Sequence, residues 1–232
     1  MKIAIMQPYL FPYIGYFQLI KSADVFVVYD DVNFIKKGWI NRNSILVNGV
    51  DFLFKVPLNE ISQNKVINQV EVIENSNWKK SLLKTITLAY KNAPFFTKVY
   101  PIFENIINQE EKNLSKFIIY SLREICSFLS IETNIIQSSD ITKNNELKGQ
   151  FKIIEICNKL NADSYVNAAG GMALYDKEIF LEHNIALNFI KSRPIVYTQF
   201  KNEFVPWLSI IDVMMFNSKE QINDFLNQYD LV

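Results

Sequence analysis

Two short, unbroken apolar runs near the start of the chain constrain its fold most. Ile3-Ala4-Ile5-Met6 and Val25-Phe26-Val27-Val28-Tyr29 contain no alternating polar positions. A strand that is apolar at every position is buried on both faces, the habit of a parallel sheet. Parallel neighbours need a crossover between them. Residues 13–22 supply one, with Phe17 and Ile20 on a common helical face. The chain therefore opens as strand, helix, strand.

The alternation continues. Residues 44–47 and 52–56 read as a hairpin around Asn48-Gly49, a strong two-residue turn signal. Residues 77–90, 94–108 and 113–130 read as three helices, with Asn77 as N-cap of the first and Ala93-Pro94 as the break after it. Residues 131–137 read as a strand, 138–149 as a mobile polar loop, 150–160 as a helix and 164–167 as a strand. The turn Ala168-Ala169-Gly170-Gly171 leads into a helix reaching about 183; residues 186–190 are a strand, and 208–216 and 218–229 are helices. No repeat, linker or low-complexity run interrupts the pattern. The expected fold class is α/β: a mostly parallel, Rossmann-like sheet with helices on both faces. Residues 1–232 form a single domain in this reading, and 77–130 are a helical insertion or cap.

Composition narrows the function. The 24 basic and 24 acidic residues cancel, which argues against a broad nucleic-acid footprint. No apolar run reaches the ~18 residues of a membrane span. Met1-Lys2-Ile3 enters a strand directly, without a signal-peptide pattern, so a cytoplasmic location is expected. Cys126 and Cys157 fall in apolar helical patterns and read as buried thiols. One histidine and no clustered cysteines leave no zinc pattern, and no metal site is expected. His183 reads as the C-terminal cap of a helix. The cofactor is left unknown by the sequence, and self-association into a homo-oligomer stays open.

Four segments concentrate chemistry. The first runs from Gln7 to Tyr16, a loop that leaves the first strand and opens a helix. That geometry favours a phosphate or carboxylate, and Tyr13 and Tyr16 add hydroxyl donors; the alternative is a rigid aromatic turn. The second runs from Asp30 to Asn43. Lys36, Lys37 and Arg42 suit a pyrophosphate, Trp39 a sugar face or base, and Asn41 and Asn43 mixed hydrogen bonding. Asp30 and Asp31 suit sugar hydroxyls, a magnesium ion or general-base work; a solvated charged loop is the bland alternative. The third holds Tyr165, Asn167, Gly170, Gly171 and Tyr175 across a strand-to-helix turn. The fourth holds Ser209 and Asp212, a pair that resembles a capping box and sits either at a helix start or at the edge of a ligand.

The first loop is similar to that of HUP-superfamily nucleotidyltransferases, in which a strand leads to His-x-Gly-His. Tyr13-Ile14-Gly15-Tyr16 stands at that place, with tyrosine at both histidine positions. A HUP-like sheet is implied, while a phenol brings no cationic character. More of the chain resembles the WbqC-like family of bacterial proteins. The matching stretches are Met6-Gln7-Pro8-Tyr9 with residues 11–17, Asp30-Asp31-Val32, residues 38–43, Leu88-Ala89-Tyr90 with residues 93–96, Tyr165-Val166-Asn167 with Gly170-Gly171 and Leu174-Tyr175, and residues 208–212.

The resemblance implies surface-polysaccharide (O-antigen, lipopolysaccharide) biosynthesis on nucleotide-linked sugars, and it carries over no catalytic residue. The expectation is a transferase that adds an acyl or aminoacyl group to a nucleotide-linked amino sugar. Asp31 would be the base and Tyr13 a second catalytic group. Gln7, Tyr13 and Tyr16 would face the donor, and Trp39, Lys36, Lys37 and Arg42 would hold the nucleotide. An ATP- or CTP-dependent nucleotidyltransferase or ligase is the second reading. The third is a non-catalytic module that binds a sugar nucleotide or a protein partner, with Phe95, Phe96 and Tyr100 as a candidate surface.

Overall fold

Strand β1 (Lys2–Met6), helix α1 (Ile14–Lys21) and strand β2 (Val25–Val28) form the expected opening unit. The two strands run parallel, Ile3 opposite Val25 and Met6 opposite Val28. The computed structural model describes residues 1–62, 64–201 and 203–232. The remaining elements are β3 (Arg42–Val47), β4 (Val50–Lys55), β5 (Leu58–Asn59), β6 (Glu71–Val72), α2 (Asn77–Tyr90), α3 (Phe96–Asn108), α4 (Leu114–Leu129), β7 (Asn134–Gln137), α5 (Gly149–Lys159), β8 (Ser164–Ala168), α6 (Lys177–Glu182), β9 (Ala186–Ser192), α7 (Ile210–Phe216), α8 (Lys219–Phe225) and β10 (Tyr229–Leu231).

Six strands make one sheet in the order β10-β9-β8-β1-β2-β7. Five are parallel, and β10 pairs antiparallel with β9 at the edge. Side chains alternate between the faces as the pleat dictates. Ile3, Ile5 and Val27 join one core with Ile153 and Ile156 of α5 and Phe180 of α6. Ala4, Phe26 and Val28 join the other, built from α1, α4, α7, α8, the β3–β4 hairpin and the remaining helices. The protein is a mixed α/β structure with a Rossmann-like sheet flanked by helices on both faces. No helix among the described residues is long and apolar enough to cross a membrane.

Local chemistry explains where elements stop. Asn48 (φ 52°) and Gly49 (φ 82°) both adopt the left-handed backbone that a two-residue hairpin turn requires. Asn113 caps α4, accepting from Lys116 N at 3.1 Å. Several boundaries differ from expectation. Helix α2 starts at Asn77, and no side chain caps it; Asn75 Oδ1 instead accepts from Asn77 N. Strand β7 starts only at Asn134, because Ser130 turns left-handed (φ 57°) and Thr133 Oγ1 donates back to the Ile20 and Ala23 carbonyls. The expected helix before residue 183 is split: a tight turn covers Ala169–Leu174, and Asp176 caps a new helix by accepting from Glu178 N. The last helix ends at Phe225, and 229–231 form β10. Cys126 and Cys157 are buried free thiols, both pushed up to about 12 by burial. His183 follows the last turn of α6, its Nδ1 2.9 Å from the Ile179 carbonyl.

The end of β2 is anchored by one carboxylate. Asp30 is fully buried and accepts from Ser115 Oγ of α4 (3.1 Å), Gln137 Nε2 at the end of β7 (2.9 Å), and Ser139 N and Oγ (3.0 and 2.9 Å). Each hydrogen bond to a charged group contributes about 1.5–3 kcal/mol, and bonds sharing an acceptor are not additive. Asp30→Ala strands four donors and should destabilise the fold by about 3 kcal/mol or more, read as a lower denaturant midpoint at unchanged m-value. An unaltered midpoint would refute the anchoring role.

Candidate functional site

The sheet winds outward in two directions. From β1 it proceeds to β2 and β7, then returns through α5 to β8 and β9 on the other side of β1. The carboxyl ends of β1 and β8 therefore flank a topological switch point, where open α/β sheets leave a crevice for ligands. A cavity of about 330 Å³ opens there. Met6 ends β1 and Ala168 ends β8, and both line it; α1 contributes Gly15, Tyr16 and Leu19. Tyr9, Pro12, Tyr13, Trp39, Asn43 and Trp207 complete the wall.

The loop between β1 and α1 is held by its carbonyls. Phe11 adopts φ 43°, an unusual conformation for a bulky residue. Asn43 Nδ2 donates to the Leu10 and Phe11 carbonyls (3.0 and 2.9 Å), and Ser209 Oγ donates to Phe11 O (2.7 Å). Ile210 N donates to Pro12 O, and Leu10 N to Trp39 O. Three of the four segments thus meet at one turn. Tyr16 Oη donates to Gln7 O at 2.8 Å; burial pushes this phenol well above its usual range, so it is a fixed neutral strut. Tyr13 is different. Among the described residues its hydroxyl has no hydrogen-bond partner, and its ring meets Trp207 edge-on at 5.6 Å. A Cβ on residue 15 would sit 2.2 Å from Tyr13 Oη, so only glycine leaves the ring room to lie across the helix start.

The second segment contributes less charge than expected. Trp39 is 48% exposed and faces the cavity. Arg42 lies over its ring at 5.6 Å and donates to the Gly38 (3.0 Å) and Lys37 carbonyls, which rigidifies the loop. Lys36 and Lys37 are exposed and do not line the cavity. Asn41 Nδ2 donates to Val56 O. Asn43 lines the cavity, yet its amide serves the backbone: Oδ1 accepts from Ser44 N as well.

The two adjacent carboxylates have structural partners. Asp30 is the anchor described above, not a ligand for sugar hydroxyls. Asp31 is paired with Lys143 Nζ (2.8 Å) and Lys152 Nζ (3.1 Å). Burial acts to raise its pKa, but the two lysines beside it, Lys143 foremost, prevail and hold it below the usual range. A carboxylate so stabilised is a counter-ion and a poor proton acceptor, which corrects the expectation of Asp31 as base. The loop over residues 138–149 is tied at Lys143, whose side chain is only 1% exposed, while residues 144–146 are exposed.

The third and fourth segments pack inward. Tyr165 is fully buried among Tyr175 and Phe180, on the face of the sheet that carries α5 and α6. Asn167 Oδ1 accepts from Ala168 N, and its Nδ2 would lie 2.6 Å from a Cβ at Gly171, so that glycine admits the amide; Gly170 faces open space. Ser209 caps α7, accepting from Ile211 N. Asp212 is no capping partner. It accepts from Tyr90 (2.7 Å), Tyr197 (2.6 Å) and Gln199 (2.7 Å), and burial raises its pKa against those bonds.

Of the residues singled out in the sequence, Tyr13, Tyr16, Trp39 and Asn43 line the cavity. Gln7, Asp30, Asp31, Lys36, Lys37, Asn41, Arg42, Tyr165, Asn167, Gly170, Gly171, Tyr175, Ser209 and Asp212 do not. Sequence reasoning passed over Met6, Tyr9 and Trp207 as site residues. Trp207 had a signal, a tryptophan directly after Pro206 in an otherwise unstructured stretch. Lys143 and Lys152 were also missed, since nothing local ties them to residue 31. Among the described residues no group of three or more histidine, cysteine, aspartate or glutamate side chains is placed to hold a metal.

The Asp31 pair gives a pH-dependent prediction. Its folded pKa is lowered, so its stabilisation is present above the unfolded carboxylate pKa and is lost as pH falls through the folded value. Lys143→Met should cost about 1.5–3 kcal/mol at neutral pH, and the difference from the parent should shrink in acid as Asp31 protonates. Urea titrations of both proteins at neutral and strongly acidic pH test this; a difference independent of pH would contradict it.

Comparison with known proteins agrees with the sequence pattern. The family described as WbqC-like protein family matches residues 7–224. The uncharacterized protein Rv1507c of Mycobacterium tuberculosis (strain ATCC 25618 / H37Rv) is 28% identical over 233 residues, covering 97% of this chain and 97% of its own. No solved structure matches. With a match spanning the first loop, the hairpin, the crossovers and α7, the chain belongs to the WbqC-like protein family.

Proposed function

We propose that the switch-point crevice binds a nucleotide-linked amino sugar, and that the protein transfers an acyl or aminoacyl group to it in surface-polysaccharide (O-antigen) biosynthesis. The supporting observation is the aromatic wall: Trp39, Trp207 and Tyr13 around an opening of about 330 Å³ at the ends of β1 and β8. Indole faces suit a base or a sugar ring. Trp39 is the stacking platform, pre-oriented by Arg42 above it. Lys36 and Lys37, exposed beside that loop, meet the pyrophosphate from outside the crevice. The unpartnered Tyr13 hydroxyl donates toward the carbonyl oxygen of the incoming group as negative charge develops there.

A second reading has its own support. The described lining holds no aspartate, glutamate, histidine, lysine or arginine, which favours a module that binds the sugar nucleotide without turning it over. The nucleotidyltransferase reading is weakened, because Tyr16 is committed to Gln7 O and leaves Tyr13 as the one free phenol of the Tyr-x-Gly-Tyr stretch.

Thermal unfolding against dTDP- and UDP-linked amino sugars, ATP and CTP tests the proposal. A ligand at 100 times its Kd should stabilise the protein by about 2.7 kcal/mol. Sugar nucleotides are expected to shift the transition. Trp39→Ala, at an exposed position, should weaken that binding by about 1–3 kcal/mol without loss of fold. A response to ATP or CTP alone, or a sugar-nucleotide response indifferent to Trp39, would overturn it. Appearance of an amide-linked product with a donor thioester or ester separates transfer from binding alone.

A further inference from the structure

A second cavity, of about 220 Å³, adjoins the crevice. The two share Tyr13 and Trp207, whose edge-on rings form the partition between them. The partition is unusual in its own right. Trp207 is 72% exposed and holds a left-handed backbone (φ 61°), a strained conformation for so large a residue.

The walls of the second cavity are apolar, including Ile14, Ile195, Val196, Phe204, Leu208 and Val213. Five side chains with a polar group also line it: Tyr13 and Trp207 stand at the partition, and the other three are already engaged. Ser192 Oγ donates to Gln18 Oε1, Arg193 is paired with Asp230, and Tyr197 Oη donates to Asp212. Beyond the Tyr13 hydroxyl and the Trp207 indole N–H at the partition, an occupant meets hydrocarbon and aromatic surface and no uncommitted polar side chain among the described residues. No aspartate or glutamate is among the described lining to neutralise an ammonium group placed there, and the Arg193 guanidinium carries like charge. The volume lies below the ~300–1,000 Å³ of pockets for drug-sized ligands, which suits a short chain.

We infer that this cavity is the acyl subsite: it accommodates the short aliphatic chain of an acyl thioester, and it selects against an aminoacyl group. The inference rests on the sugar-nucleotide reading of the neighbouring crevice and settles the class of group transferred. The acceptor amine would reach the donor carbonyl at the Tyr13–Trp207 partition. A C–N bond forms as the C–S bond breaks, and the amine proton ends on the departing thiol.

Calorimetric titration of the full chain with butyryl-pantetheine and glycyl-pantetheine thioesters tests this. The butyryl compound should bind at least ten-fold more tightly. Val196→Arg changes an exposed rim position and should lower butyryl affinity at least ten-fold while leaving a dTDP-linked amino sugar bound as before. Equal or tighter binding of the glycyl compound, or a butyryl affinity indifferent to Val196→Arg, would overturn the inference. The first comparison uses the unaltered protein and so does not depend on the variant folding. Failure of the butyryl arm with sugar-nucleotide binding intact removes only the acyl subsite. Failure of the sugar-nucleotide arm with butyryl binding intact removes the reading of the crevice and leaves an apolar ligand site.

Discussion

The carbonyl of Phe11 is the point on which the site depends. Residue 11 sits at φ 43°, where a bulky side chain is disfavoured. It stays there because its carbonyl receives two donors from distant chain, Asn43 Nδ2 and Ser209 Oγ, while its ring packs edge-on against Phe103 at 5.4 Å. This turn fixes where α1 begins, and so where Tyr13 and Gly15 stand relative to β1. It also ties the hairpin and α7 to the end of the sheet. Asn43 and Ser209 are positioning residues: each is buried, and each shapes the crevice through the backbone of residues 10–12.

Asp30 and Asp31 illustrate how neighbours diverge once folded. Leaving β2, the first points inward and accepts from uncharged donors on α4, β7 and the following turn; the second points to the opposite side and is neutralised by two lysines. Together they fasten the carboxyl end of β2 from both faces. The crevice at β1 and β8 then opens beside a strand end that is held on both sides.

Much of the architecture was legible. The apolar runs at 3–6 and 25–29, the Asn48-Gly49 turn and the helical stretches at 77–90, 94–108, 113–130 and 150–160 were each specified by local chemistry, and each appears close to its expected bounds. The misses share a cause. β10 is three residues whose strand character comes from pairing with β9, and the break before α6 comes from Asp176 capping after a tight turn. Site residues were harder, because polar side chains in the matching segments advertise hydrogen bonding without naming the partner. Asn43, Ser209 and Asp212 bond to the protein itself. Lys143 and Lys152 lie more than a hundred positions from Asp31 in sequence, and only the crossover through α5 brings them together.

The placement of the three tryptophans has an optical consequence. Trp78 lies on α2, with its indole N–H bonded to the Ile73 carbonyl and its ring against Phe117, away from the crevice. Trp39 and Trp207 are both solvent-facing and both line it. Emission from the long-wavelength, water-relaxed indoles thus originates at the crevice, while the partly buried Trp78, remote from it, supplies an internal reference. The molecule carries its own spectroscopic reporter, in which anything entering the opening between β1 and β8 alters one component of the spectrum and leaves the other in place.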